Sequence, residues 1–381
     1  MRGSVINAIM SVTRFLPRNA MQQLIDALAT SGYRVLGPQV RDGAILYDDL
    51  QEATALPGGW TDDQAPGSYR LSQVDTPRCF AWANGPQALK PELFRAREVL
   101  WRVSRDEGGT LRFQQEEVDG RPLAVIGVRA CDIAALRLQD RHFLDNISDP
   151  YYAAHRRDLF VVAVHCSYPA DTCFCVSTGD GPRAESGFDV ALGELDDGFL
   201  VEVGSERGAQ LIEGLALDPA GESRQEQLQA GIDDGARRQF RQLPSRNLRD
   251  SLFARLEHPR WETVAVRCLA CGNCTSVCPT CFCHAEQETP SLDGMDSAHV
   301  REWDSCFSEG HAYLHGFQVR PEIRQRYRQW LVHKLGSWHD QYGRSGCVGC
   351  GRCIAWCPVG IDITEEANVI CDGAGPGGGD A

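Results

Sequence analysis

Several features of membrane proteins and nucleotide-binding enzymes are missing from this sequence. No stretch approaches the roughly 18 consecutive apolar residues that a membrane-spanning helix needs, so no contact with a membrane is expected. No G-x-G-x-x-G loop or Walker A motif occurs, which counts against a flavin or nicotinamide site on this chain. Residues 1–19 contain a short apolar run without a small-residue cleavage site, so they are predicted to be mature sequence of a cytoplasmic protein.

Basic residues are outnumbered by acidic residues, and methionine is scarce. There are 38 Lys and Arg residues against 52 Asp and Glu residues, a net charge of −14, which disfavours nucleic acid as a partner. Only 4 methionines occur beside 17 cysteines. With 43% hydrophobic and 24% charged residues, the composition is typical of a globular protein with about two domains.

The cysteines are concentrated near the C-terminus. Residues 1–265 hold five of them, and residues 266–371 hold the other twelve. An odd count in a long chain without a signal peptide argues against a secreted disulfide scaffold. The cysteines are therefore expected to be reduced and to bind metal.

The N-terminal part of the sequence predicts alternating helices and strands. Apolar spacing predicts a helix at 21–33, and a surface loop is expected at 56–67, which is rich in Pro, Gly and Asp. Two continuous apolar runs, 122–128 and 159–164, flank a segment with helical spacing at 132–144. Strand, helix and strand of these lengths predict a parallel βαβ unit with a right-handed crossover.

Two cysteine motifs share the spacing C-x2-C-x2-C-x3-C-P, one beginning at Cys268 and the other at Cys347. Three thiolates at these intervals wrap one face of a [4Fe–4S] cubane, and the fourth cysteine points to the other cluster. The spacing predicts two clusters that exchange their fourth ligands: Cys268, Cys271, Cys274 and Cys357 hold one, and Cys347, Cys350, Cys353 and Cys278 hold the other. Paired zinc sites are the alternative, which two full copies of the ferredoxin spacing disfavour.

The two motifs lie 68 residues apart, so the predicted exchange of ligands requires the insertion between them to loop out and return. Residues 321–340 predict an amphipathic helix whose inward face is Ile323, Tyr327, Trp330, Leu331, Leu335 and Trp338. Its other face carries Arg324, Arg326, Arg328 and Lys334. That face is interpreted either as a solvated surface, or as a docking surface or a source of positive field near the anionic clusters.

A third metal site is predicted at the carboxyl edge of the βαβ sheet. Cys131 and Cys166 follow the two predicted strands, and Cys173 and Cys175 follow closely. Four convergent thiols suggest a third [4Fe–4S] cluster, with zinc or inert buried cysteines as alternatives. Five cysteines receive no firm role: Cys79, Cys281, Cys283, Cys306 and Cys371.

These patterns predict an α+β or α/β chain in four parts. An α/β domain with a parallel βαβ core and the possible third site covers 1–204, and a helical connector covers 205–260. A mostly helical ferredoxin-type domain with two [4Fe–4S] clusters covers 261–371 and includes the insertion at 284–346. Residues 372–381 are expected to form a flexible tail because they are rich in glycine.

Long segments also recur, in the same order, in a known family. They are IGVRACDIAAL (126–136), DPYYAAHRRDLFVVAVHCSYPADTCFC (149–175), GFDVALGEL (187–195), CLACGNCTSVCPTCFC (268–283), WDSCFS (303–308) and the segment 327–366, which begins with YRQWLVHKL and ends with GCVGCGRCIAWCPVGIDITEE. These segments resemble the iron–sulfur β subunit of sulfhydrogenases, which are bidirectional NAD(P)-linked [NiFe] hydrogenases. They also resemble the related iron–sulfur subunit of anaerobic sulfite reductase. The resemblance extends over nearly the whole chain, to about residue 370.

The resemblance implies a non-catalytic electron-transfer subunit of a heteromeric complex. A separate flavoprotein with FAD exchanges hydride with NAD(P)H in such complexes, and the β subunit relays single electrons between it and a [NiFe] hydrogenase catalytic subunit. Service to a sulfite or polysulfide reductase is the alternative. A stand-alone enzyme with a substrate at the sheet edge and a zinc-stabilised scaffold are the remaining hypotheses. No residue of this chain is predicted to act as a catalytic acid, base or nucleophile.

Overall fold

The computed structural model describes residues 13–87, 89–118, 120–145, 147–245 and 247–372. The first 12 residues and the predicted tail from residue 373 onward lie outside the described residues. The strands are β1 (Arg14–Pro17), β2 (Arg34–Arg41), β3 (Ala44–Asp49), β4 (Trp60–Ala65), β5 (Ser68–Gln73), β6 (Arg97–Arg105), β7 (Leu111–Gln115), β8 (Leu123–Val128), β9 (Phe160–Val164), β10 (Val190–Glu194), β11 (Gly198–Val203), β12 (Asp218–Pro219), β13 (His284–Pro290), β14 (Asp296–Trp303), β15 (Tyr313–Leu314) and β16 (Phe317–Gln318).

The helices of the described residues follow the same order. They are α1 (Met21–Thr30), α2 (Lys90–Leu93), α3 (Ala130–Leu144), α4 (Pro150–Arg157), α5 (Cys175–Thr178), α6 (Glu206–Glu213), α7 (Glu222–Arg237), α8 (Leu248–Phe253), α9 (Arg260–Arg267), α10 (Asn273–Ser276), α11 (Ile323–Val332), α12 (Trp338–Tyr342), α13 (Arg352–Ala355) and α14 (Ile363–Asp372). None of them is both long and apolar enough to cross a membrane.

An eight-stranded sheet in the order β12-β1-β11-β10-β9-β8-β2-β3 organises the N-terminal part of the described chain. Its centre is parallel, because β2, β8, β9 and β10 pair in the same direction. The apolar runs predicted at 122–128 and 159–164 form β8 and β9, and α3 crosses between them. Their side chains are buried on both faces of the sheet, as parallel strands require. The predicted α/β class with a parallel βαβ core is therefore confirmed.

One local prediction in this part was wrong. The segment expected to be a surface loop at 56–67 contains β4, which forms a hairpin with β5. The end of that hairpin contacts the C-terminal region, since the Gly67 amide donates to the Ile354 carbonyl at 3.0 Å. The strand structure of this segment comes from pairing with β5, which its Pro, Gly and Asp content does not reveal.

The insertion between the cysteine motifs is attached to the N-terminal part. β13 and β14 form a hairpin, and β14 pairs with β6 in a second sheet of order β13-β14-β6-β7. The insertion thus extends a sheet that β6 and β7 begin, and β14 is hydrogen-bonded to a neighbouring strand on each side. Beyond this hairpin, α11 returns the chain to the second motif.

The predicted helix at 321–340 is interrupted by a π-helical turn at His333–Ser337, between α11 and α12. The predicted inward residues Tyr327, Trp330, Leu331, Leu335 and Trp338 are buried. Arg326 and Lys334, which were expected on the outer face, are buried as well. A π turn inserts one extra residue and shifts the phase of the following side chains, so a regular helical wheel misplaces Lys334.

Candidate metal centres

The first cysteine motif forms a loop at the end of α9. Ala270 and Gly272 take positive φ angles of 50° and 76°, which bend the chain around the motif. The Ala270 amide donates to the Cys268 thiol sulfur at 3.4 Å. A cavity beside this loop is lined by the four predicted thiols together with Cys353 and apolar rings: Cys268, Cys271, Cys274, Cys357, Phe307, Tyr327 and Trp330.

The second motif forms an equivalent loop before α13. Gly349 and Gly351 take φ angles of 64° and 75°, and the Gly349 amide donates to the Cys347 sulfur at 3.5 Å. Cys278 of the first motif lies close enough to interact electrostatically with three thiols of the second, Cys347, Cys350 and Cys353. Each of the two predicted ligand sets is therefore brought together across the 68-residue gap.

The four thiols predicted at the sheet edge also come together. Cys131 lies in the first turn of α3, Cys166 follows β9, and Cys173 and Cys175 lie in the loop before and at the start of α5. All four line one cavity, which Cys350 of the second motif also lines. The Asn84 side chain donates to the Cys350 carbonyl at 3.2 Å and to the Cys131 sulfur at 3.6 Å, so it links the two sites.

A buried ion pair fixes the second motif to this edge. The Arg352 guanidinium contacts the Asp132 carboxylate at 2.6 Å, and side-chain exposure is 1% for Arg352 and 2% for Asp132. Asp132 lies in the first turn of α3, whose N-cap is Arg129. The ion pair joins residues far apart in sequence, so local patterns do not reveal it.

Several thiols of these sets lie in an environment that disfavours bare thiolate. Burial raises the pKa of Cys131 and Cys173 well above the usual value, and raises the pKa of Cys175 and Cys347 to about 12. Iron that binds such a set replaces the thiol protons, and the amides beside Cys268 and Cys347 stabilise thiolate. Within the described residues, no three His, Cys, Asp or Glu side chains are grouped as ligands of a single metal ion. The thiols surround cavities instead, which fits a multi-iron cluster.

Sequence reasoning missed two buried cations beside the thiols. The chain has only two lysines, Lys90 and Lys334, among 38 basic residues, and both are buried. The Lys334 ammonium donates to Thr280 Oγ1 at 2.7 Å and interacts with Cys278 and Cys347. The Lys90 ammonium donates to the Thr275 carbonyl at 3.2 Å. The scarcity of lysine was the signal in the sequence that pointed to these two residues, because nearly all basic positions are occupied by arginine.

Thr280 connects Lys334 to the second ligand set. Its hydroxyl donates to the Gly346 carbonyl at 2.7 Å, accepts from Lys334, and lies 3.3 Å from the Cys278 sulfur. Burial lowers the pKa of Lys334, but the neighbouring Cys278 and Cys281 sulfurs raise it by more than burial lowers it. The pKa of Lys334 is therefore above its usual value. Lys334 therefore carries a positive charge close to Cys278 and Cys347.

Comparison with known proteins agrees with this arrangement. Residues 267–361 match the family model of the 4Fe-4S dicluster domain, so the chain carries two [4Fe–4S] clusters. The sequence is 31% identical over 312 residues to the sulfhydrogenase 2 subunit beta of Pyrococcus furiosus, and the match covers 80% of this chain and 90% of the relative. No solved structure matches the chain. With these cysteine sets and this relative, the chain belongs to the family of iron–sulfur sulfhydrogenase β subunits.

Proposed function

We propose that this chain relays single electrons between a flavoprotein that uses FAD and NAD(P)H and the catalytic subunit of a [NiFe] hydrogenase. The observation that carries the proposal is the continuity of three thiol sets. Cys353 of the second motif lines the first cavity, and Cys350 of the same motif lines the sheet-edge cavity. A line of adjacent redox sites is the arrangement that stepwise electron transfer needs.

The proposed ligands follow the three sets. Cys268, Cys271, Cys274 and Cys357 hold one cluster, Cys347, Cys350, Cys353 and Cys278 hold the second, and Cys131, Cys166, Cys173 and Cys175 hold a third. A [4Fe–4S] cluster at each set supplies one-electron redox chemistry. The chain's own groups orient the thiols and set the local charge: the Ala270 and Gly349 amides donate to sulfur, and Lys334 adds a buried positive charge.

The proposed partners lie on other chains. No glycine-rich nucleotide loop occurs in the sequence, so hydride exchange with NAD(P)H is assigned to a separate flavoprotein. The relative is named as a subunit, which supports a heteromeric complex. The twelve cysteines of the three proposed ligand sets are free thiols, which supports a role in the reducing cytoplasm.

Anaerobic purification of the full chain and of its native complex tests this function. We expect a brown protein that dithionite reduces and that NAD(P)H reduces only in the complex. A tag on this chain should co-purify a flavoprotein and a nickel-containing subunit. A sirohaem subunit in place of nickel would instead support the sulfite reductase alternative. Reduction of the isolated chain by NAD(P)H, or a colourless protein with stoichiometric zinc, would contradict the proposal.

A further inference from the structure

Three thiols outside the proposed cluster ligands lie between the two cysteine motifs: Cys281, Cys283 and Cys306. The hairpin register brings two of them together, because His284 pairs with Trp303 and the Asp304 amide donates to the Cys283 carbonyl at 2.9 Å. The Cys306 thiol lies two residues farther along and shares a hydrogen bond with the Cys283 thiol. Both residues are partly exposed.

A tight turn holds Cys306 in this position. The Ser308 amide donates to the Ser305 carbonyl at 2.8 Å, and the Phe307 amide donates to Ser305 Oγ at 3.1 Å. Ser305 Oγ is also 2.8 Å from Thr275 Oγ1 in α10, beside the first motif. The turn that carries Cys306 is thus anchored to the first motif on one side and to the hairpin on the other.

A histidine and a carboxylate complete the surroundings of the thiol pair. His311 Nδ1 lies 2.8 Å from Asp304 Oδ2, and the imidazole also interacts with the Cys283 thiol. The carboxylate orients the ring, as carboxylates do beside reactive histidines. Hydrogen bonding from Cys306 lowers the pKa of Cys283 against the opposing effect of burial, and hydrogen bonding from His311 lowers it further, while the hydrogen bond with Cys283 raises the pKa of Cys306.

The pair lies next to the proposed cluster ligands. Cys306 interacts electrostatically with Cys274 of the first set, and Cys281 shares a hydrogen bond with Cys278 of the second. Neither Cys283 nor Cys306 lines the first cavity or the sheet-edge cavity, and neither belongs to the second ligand set, which includes Cys278. Two adjacent thiols, one favoured as thiolate and the other as thiol, are the arrangement of a nucleophilic and a resolving cysteine.

We propose that Cys283 and Cys306 form a reversible dithiol–disulfide couple beside the clusters. Because Cys283 is favoured as thiolate, oxidation forms an Sγ–Sγ bond and releases two electrons and the one proton that Cys306 carries, and reduction breaks this bond and takes them up again. The Cys306 proton leaves toward solvent, because both residues are partly exposed. The electron donors and acceptors are one-electron iron–sulfur centres, so the inference rests on the proposed electron-transfer function. The couple gives the one-electron relay a site that stores an electron pair.

Disulfide mapping on the full chain tests the couple. Anaerobic protein is reduced with dithionite, desalted, oxidised with thionine, and then quenched in acid with a thiol-blocking reagent before tryptic digestion. Cleavage after Arg267, Arg301 and Arg324 places Cys306 as the sole cysteine of the peptide 302–324, and Cys283 in the peptide 268–301. We expect these two peptides to be linked in the oxidised sample and separate in the reduced one.

Three variants assign the link and separate it from metal binding. Cys306→Ser and Cys283→Ser should abolish it, whereas Cys281→Ser, the matched control in the same peptide, should keep it. A dithionite titration should show that the wild type takes up two more electrons per chain than Cys306→Ser. Iron and acid-labile sulfide should be equal in all four proteins.

Two outcomes would overturn the couple. One is an oxidised wild type with full iron but no linked peptides. The other is loss of iron from Cys306→Ser or Cys283→Ser, which would make these residues metal ligands. A wild type that contains no iron would contradict the proposed electron-transfer function instead, and the peptide map after thionine oxidation would still decide for or against the couple.

Discussion

The two cysteine motifs have the same spacing but opposite surroundings. In the first, Cys271 is exposed, and the neighbouring Leu269 and Val266 are 62% and 81% exposed. In the second, Cys350 and Val348 are buried. The repeated spacing therefore specifies the conformation of a ligand loop, but it does not specify how deeply the loop is buried in the protein. The proposed relay therefore assigns electron exchange with a partner to the first loop, and the connection of interior sites to the second.

The contacts of equivalent residues explain the difference in depth. Arg352 of the second motif is buried against Asp132, whereas the equivalent Asn273 of the first motif is exposed and donates to the Trp356 carbonyl at 3.3 Å. The second loop also exchanges backbone contacts with the sheet-edge site, because the Phe174 amide donates to the Gly349 carbonyl at 2.8 Å. The second loop is thus part of the α/β core, and the first is not.

The largest effect is expected from Arg352→Met. This substitution leaves the Asp132 carboxylate buried without its partner, so it should lower the free energy of unfolding by about 3–5 kcal/mol. The matched change in the first motif, Asn273→Ala, should cost less than about 1 kcal/mol because the residue is exposed. Anaerobic denaturant unfolding measures both. Equal losses in the two variants would show that the motifs do not differ in depth as described.

A smaller contrast is expected between two glycines at the same motif position. Gly351 and Gly272 have φ angles of 75° and 76°, so alanine meets about the same backbone strain, roughly 1–2 kcal/mol, at either position. A Cβ at Gly351 would lie 2.5 Å from the Thr172 carbonyl oxygen, whereas one at Gly272 would lie 3.3 Å from the Ser305 hydroxyl oxygen. Gly351→Ala should therefore destabilise the protein by about 1–3 kcal/mol more than Gly272→Ala. The difference in unfolding free energy is the measurement, and a difference near zero would count against a tight second loop.

Exposure of the first motif should also make its iron the most labile. Limited treatment with oxygen and a chelator should release about four irons before the rest, since one set is near solvent. Cys271 should become alkylated at the same stage because it is the exposed ligand. Iron release and peptide mapping over time would follow this order. Simultaneous loss of all iron would contradict it.

The smallest effect concerns the reduction potential. Replacing Lys334 by Met removes a buried positive charge beside Cys278 and Cys347, so the second cluster should become harder to reduce. A charge interaction of about 1–2 kcal/mol at an effective dielectric near 20 corresponds to a decrease of roughly 40–90 mV for one electron. Redox titration monitored by electron paramagnetic resonance measures the shift.

The control for this shift is Arg324→Met on the same helical segment. The Arg324 guanidinium is near the surface and pairs with Glu322 at 3.2 Å, so its removal should leave all potentials nearly unchanged. An unchanged potential in Lys334→Met, or an equal shift in both variants, would show that Lys334 does not act on the second set.

Spacing rules predicted much of this arrangement from sequence. The ferredoxin motifs place three ligands each by local geometry, and the βαβ rule places Cys131 and Cys166 at one edge without knowledge of the fold. Contacts between distant segments could not be predicted in this way. The pairing of β14 with β6, the Arg352–Asp132 ion pair and the burial of Lys334 all depend on how the insertion folds back. Local periodicity carries no information about such contacts, and the π turn at His333–Ser337 disrupts even the local pattern.

The most direct measurement of the central claim is the iron and acid-labile sulfide content of three anaerobically purified proteins. We expect about twelve irons per chain in the wild type and about eight in Cys166→Ser, because the sheet-edge set then loses a ligand. Cys79→Ser is the control, since Cys79 is buried but contacts Glu194 and lines neither cysteine-lined cavity, and it should keep about twelve. About eight irons in the wild type, unchanged in Cys166→Ser, would contradict a third cluster and the continuous relay built on it.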